Sequence, residues 1–159
     1  MSFQTWSPRV KTLMQEVLTE AYSAKETSAL GEVYDYNEWP GTLTALPTAL
    51  IGTRGGNTSY GMSAPRILQH DMAIWVYLPG LTLAEGMAQA VPLVDRVWKK
   101  FAANLTLGSR VSNFTPPAPP AKWYEGPDFL GYGSASHVGM IFNYLVKESG
   151  ESFTVEAGA

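Results

Sequence analysis

The sequence predicts an α+β domain, on three observations. Residues Arg66 to Leu78 alternate with period two, as a strand does. A break at Pro79-Gly80 leads into one long amphipathic helix, and a second long alternating stretch, His137 to Lys147, follows near the end. These two stretches are the longest and most apolar strand candidates, so they are expected to pair antiparallel at the centre of the sheet.

In the first strand, Leu68, His70, Met72, Ile74, Val76 and Leu78 share one face, read as the core face. The opposite face is polar at its start and aromatic at its end, with Asp71, Ala73, Trp75 and Tyr77, which suits a partner rather than water. In the last strand, Val138, Met140, Phe142, Tyr144 and Val146 form the apolar face.

The helix begins at Thr82-Leu83-Ala84-Glu85, whose spacing is that of a capping box. Leu83, Met87, Ala90, Val91, Val94, Trp98 and Phe101 recur every three or four residues and are expected to bury as one face. That burial would contribute on the order of 10 kcal/mol before entropy is charged against it. Lys99 and Lys100 suit the negative end of the helix dipole, and Pro92 predicts a bend.

Upstream, Met1 to Trp6 reads as a short, loosely held arm from which Trp6 can still dock on the fold, and Ser7-Pro8 as the capped start of a helix to about Ser23. Lys25 to Leu30 connects to a short strand, Glu32–Tyr36, and Pro47 introduces another, Thr48–Thr53. Arg54 to Pro65, with three glycines, reads as a long protruding loop. After the helix, Ser109–Phe114 is a short strand candidate. Thr115 to Pro120 is a stiff proline-rich strap, and Lys122–Asp128 is aromatic and turn-like. One domain is expected over residues 1–148, with protruding loops at about 54–65 and 115–128 and a flexible tail at 149–159.

The chain has 159 residues, 45% of them hydrophobic, 16% charged and 12% aromatic, which fits one domain with sticky surface for an oligomer. A net charge of -3 argues against gripping nucleic acid by its phosphates. With no cysteine there is no disulfide or thiolate chemistry. The sequence carries no signal-like N-terminus and no apolar run of membrane-spanning length, so a soluble protein made in the cytoplasm is expected.

No constellation reads as catalytic. His70 is expected to be a hydrogen-bonded core histidine and His137 a solvated strand end. Asp35 and Glu38 are close enough in sequence to work as acid and base, but their spacing carries little information. Arg54-Gly55-Gly56-Asn57 resembles a phosphate-cradling loop in outline, yet lacks the Lys-Ser/Thr that closes one. Ser59, Tyr60 and Ser63 have no base beside them, so no enzyme, cofactor or metal is expected.

Several stretches point elsewhere. These are Val33-Tyr34-Asp35-Tyr36 before a Pro-containing loop, Pro47-Thr48-Ala49-Leu50-Ile51 as the next strand, and Tyr132-Gly133 ahead of the last strand. With the order of elements, they resemble the tail terminator and tail-completion proteins of long-tailed bacteriophages, over roughly Ser7 to Glu148. The resemblance implies a curved, mainly antiparallel sheet flanked by two helices. It implies a homo-oligomeric ring, a hexamer, that caps the head-proximal end of the tail tube, ends tube growth and docks to the neck connector. The implied partners are other copies of the chain, the tail tube protein and the neck or connector protein. DNA would pass through without specific binding, and no membrane is involved. The implied location is the virion, after assembly in the host cytoplasm. Within the regions the resemblance marks for contacts, Arg54, Asn57, Tyr60, Trp123 and Tyr124 are the candidate interface residues. The alternatives are a head-side joining or stopper protein, a host adaptor domain, and a small-molecule-binding domain or enzyme. The last would have its pocket between the sheet and the long helix, near His70 and Trp98.

Overall fold

The computed structural model describes residues 3–22, 32–60, 66–107, 111 and 113–148. The expected connection at Lys25–Leu30, the loop tip at 61–65, most of the start of the expected strand at 109–114, and the tail at 149–159 lie outside them. The chain runs α1 (Phe3–Tyr22), β1 (Glu32–Tyr34), β2 (Thr48–Tyr60), β3 (Arg66–Tyr77), α2 (Leu83–Ala102), β4 (Asn113–Thr115), β5 (Tyr124–Tyr132) and β6 (Ala135–Glu148).

The sheet order is β1-β2-β3-β6-β4, with β5 also paired to β6. β3 and β6 pair antiparallel from Leu68↔Glu148 to Tyr77↔Gly139. The expectation of a curved, mainly antiparallel sheet flanked by two helices is corrected. The sheet is mixed, because β1 runs parallel to β2 while the other described pairings are antiparallel, and it is open, because β1 and β4 end the strand order without meeting. Closure needs long end strands that reach each other; here β1 and β4 have three residues each. The parallel pair follows from the connection. Residues 35–47 return over the sheet, where Trp39 packs edge-on against Trp75 and donates its indole N–H to the Ile51 carbonyl.

The helices do not flank the sheet from two sides. They pack against each other on one face. The core combines Trp6, Val10, Leu13, Met14 and Val17 of α1 with Ala90, Leu93, Val97 and Phe101 of α2. Beneath them lie Ile51, Met72, Ile74, Val76, Met140, Phe142 and Tyr144. Each such large side chain contributes about 1.5–3 kcal/mol by leaving water.

Four local expectations fail for identifiable reasons. The N-terminal arm is helical, and α1 starts at Phe3 with Pro8 inside it. Trp6 is fully buried and donates to the Glu148 carboxylate, while Ser7 Oγ donates to the buried Asp35 carboxylate at 3.0 Å instead of capping a helix. The strand expected at Glu32–Tyr36 stops at Tyr34, and the Asp35 carboxylate accepts from the Tyr36 amide. β2 does not stop at Thr53. It continues to Tyr60 through a bulge between Thr53 and Gly55, so the expected loop 54–65 is mostly ribbon paired to β3. Gly55 takes a positive φ there, and a side chain on Gly56 would collide with the Gln69 carbonyl. Finally, the aromatic segment expected to be turn-like supplies the first residues of β5.

Candidate interface

The Thr82 cap of α2 forms as the spacing predicts, while Glu85 reaches back to the residue before the cap. Thr82 Oγ1 accepts from the Glu85 amide at 3.2 Å, and the Glu85 carboxylate accepts from the Leu81 amide at 2.9 Å. The helix continues through Pro92. Its buried side consists of Gly86, Ala90, Leu93, Val97 and Phe101. Of the seven residues expected to bury, Leu83, Met87, Val91 and Trp98 are instead exposed, Val91 by 63%. At about 100° per residue, Leu83, Met87, Val91, Val94 and Trp98 span about 80°, next to the buried arc. The apolar surface of α2 is therefore about twice as wide as the part that covers the sheet.

The exposed half faces β5. Lys100, on the other side of the helix, pairs with Glu16 of α1 at 3.2 Å, whereas the Trp98 ring meets Trp123 at 4.9 Å. Trp123 in turn contacts Tyr124, Phe142 and Tyr144. Tyr124 and Phe129 of β5, opposite Phe142 and Val138, lie on the same side of the sheet and are exposed. Below Trp98 a small cleft of about 60 Å³ opens between Phe101, Ala102, Leu105, Phe114 and Tyr144. The Trp123 indole N–H and the Tyr144 hydroxyl are buried without a hydrogen-bond partner among the described residues. Burial pushes the Tyr144 hydroxyl well above its ordinary range, partly opposed by the nearby Trp123 indole.

The other sheet face carries a groove of about 640 Å³ in which charged and apolar side chains mix. Arg54 reaches across the sheet to Asn143 Oδ1 at 3.0 Å and Glu125 Oε2 at 3.2 Å, and Asn143 donates to the same carboxylate at 3.0 Å. The Asn143 amide first, and Arg54 with it, hold the Glu125 carboxyl below the usual range against a smaller effect of burial. Asp71 and Lys122 also line this groove.

The candidate residues thus divide. Arg54 and Glu125 join the regions 54–65 and 115–128, expected as two protruding loops, into one polar cluster. Asn57 is exposed in the ribbon opposite Gln69, and Tyr60 ends β2 opposite Arg66. Trp123 and Tyr124 belong to the apolar patch beside α2. Asp35 and Glu38 tie α1 to the segment after β1: Lys11 Nζ donates to Glu38 at 2.6 Å, which holds that carboxyl below its usual range. His70 is packed edge-on by Phe3 and Trp6; its Nε2 is 3.4 Å from Glu148 Oε1 but makes no hydrogen bond among the described residues, contrary to expectation. His137 is half-buried against Tyr77, not a solvated end.

Sequence reasoning missed the exposed side of α2 because its residues satisfy the same periodicity as the buried side. A pattern wider than one sheet contact needs was the available signal. Among the described residues, no three His, Asp or Glu side chains are placed to hold a metal. No model of a known protein family matches the chain, and no curated protein matches it.

Proposed function

We propose that this protein is a structural subunit of a phage tail, assembling into a ring that caps the head-proximal end of the tail tube, ends tube growth and docks to the neck connector. The observation that carries the self-association is the uncovered apolar side of α2, continuous with Trp98, Trp123 and Tyr124. Side chains of that size left in water in one stripe favour a protein partner. A head-to-tail ring also requires two different surfaces on each subunit. The apolar side beside α2 and the groove that holds Arg54 and Glu125 lie on opposite faces of the sheet, which supports that requirement. Beyond β1 the β2 side of the long β2–β3 ribbon adds an exposed edge, from Thr53 to Asn57. The net negative charge suits a ring that lets DNA pass.

Light scattering and electron microscopy of the purified protein, alone and with tail tube protein, test this reading. The expected result is a closed ring that stops tube elongation, with overlong tubes when it is omitted. A monomer at every concentration, with no effect on tube length, overturns it.

A further inference from the structure

Residues Lys122 to Glu125 touch both faces of the sheet. On the groove side, Asn143 Nδ2 donates to the Lys122 carbonyl at 3.1 Å and to Glu125 Oε2 at 3.0 Å, before and after Trp123 and Tyr124. Arg54 donates to Asn143 Oδ1 at 3.0 Å, which fixes the way this amide points, and to the same Glu125 oxygen at 3.2 Å. On the helix side, Trp123 carries its ring to Trp98, 4.9 Å away, and to Phe142 and Tyr144. The Asn143 backbone N–H donates to the Trp123 carbonyl at 2.6 Å, so the ring can turn while the strand stays paired. The seat of that ring has a defect. The Trp123 indole N–H is buried there and makes no hydrogen bond among the described residues. A buried donor left unpaired penalises the position that buries it. Turned toward water, the same N–H would be satisfied at the cost of the ring contacts. The two positions therefore lie closer in free energy than for a ring whose N–H is bonded, as that of Trp6 is to Glu148.

We propose that Trp123 is a two-position gate held shut by the Arg54–Asn143–Glu125 clamp, so that an acidic group drawing Arg54 away on the groove side loosens the aromatic surface beside α2. The clamp favours the seated ring because it holds the chain on both sides of it. It is also open to competition: the Arg54 and Glu125 side chains are 44% and 42% exposed in a wide groove. A carboxylate competes best, since it accepts two guanidinium N–H groups at once. The two surfaces proposed above for assembly are then not independent, because filling one alters the other. The inference rests on that reading only for its use in assembly; the gate is a property of the single chain.

The test uses the full chain. Arg54→Met and Glu125→Gln break the clamp, and Lys11→Met breaks the ion pair with Glu38 as a control. Indole hydrogen exchange, read by NMR for each tryptophan, reports the gate. Trp123 is expected to exchange about tenfold faster in both clamp variants, with Trp6 unchanged and Lys11→Met like the wild type. No acceleration at Trp123, or equal acceleration at Trp6, overturns the gate. Light scattering then reads the link to assembly. Arg54→Met is expected to self-associate about tenfold more weakly, and adding Trp123→Phe, whose ring has no N–H to expose, should recover most of that loss. Faster exchange without weaker association, or without recovery in the double variant, keeps the gate and overturns its coupling to assembly. A wild type monomeric at every concentration sinks the ring reading, and exchange in that monomer still decides the gate.

Discussion

Gly86 sets how closely α2 approaches the sheet, and replacing it by alanine tests that geometry. In a solvated helix Gly→Ala stabilises by about 0.8–1.0 kcal/mol. Here the new Cβ would overlap Val138 Cγ1, inside the ordinary contact distance of about 3.5–4.0 Å, and would touch Pro127 Cβ at 3.6 Å. Val138 is 1% exposed and lies in β6 opposite Phe129, so it has little room to retreat. Overpacking costs about 1–3 kcal/mol. The net expectation is a loss of up to about 2 kcal/mol, opposite in sign to the propensity change. Val138→Ala alone removes two methyl groups and loses about 2 kcal/mol. Combined, the two changes should cost less than their sum by about 1 kcal/mol or more, because the methyl added at position 86 occupies the vacated space. Urea unfolding followed by tryptophan fluorescence gives each value, provided the slope m is unchanged. A Gly86→Ala variant more stable than the wild type, or strictly additive effects, would refute this packing of α2.

Three further outcomes are expected. Leu93→Ala, on the buried side of α2, should cost about 2–5 kcal/mol, while Met87→Lys and Val91→Lys should stay within about 0.5 kcal/mol of wild type yet weaken self-association; urea midpoints and light scattering separate the two sides. Glu125 contributes stability that is present at neutral pH and lost as pH falls through the carboxylate range, because its folded pKa is depressed. Its side chain is 42% exposed, so the effect is about a few tenths of a kcal/mol; Glu125→Gln should flatten that part of the acid limb. Tyr144 and Tyr77 have raised pKa values, so their contribution is complete below about pH 10 and is lost as pH rises, when the unfolded chain ionises first. Tyr144→Phe should make the alkaline limb shallower and leave neutral-pH stability unchanged or higher, since it removes a buried hydroxyl without a partner among the described residues.

The two long strands were legible because each alternates over ten residues or more with one face apolar, but for His70 in the first, which fixes both period and register. The α2 cap was legible because Thr82 and Glu85 act within one turn. The reach of β2 was not. Arg54-Gly55-Gly56-Asn57 has turn chemistry, and only its pairing with β3 makes those glycines a bulge and a close approach. That Trp6 could dock was open in the sequence, but not where, because its partners, Glu148 and His70, lie far along the chain. Of the interface candidates, Trp123 and Tyr124 stood out by composition, whereas the Arg54–Glu125–Asn143 cluster joins three strands and has no local spacing to reveal it.

By itself the sequence determined which segments could be strands or helices and which of their sides were apolar, since those depend on steric and hydration preferences along a few neighbouring residues. Only the tertiary structure decided which apolar sides were used. A sheet of this width accepts about half of the apolar arc of α2, and both helices share one face of it. What remains in water, from Leu81 to Trp98, is a consequence of packing geometry, because periodicity is the same for a side chain that meets the core and for one beside it.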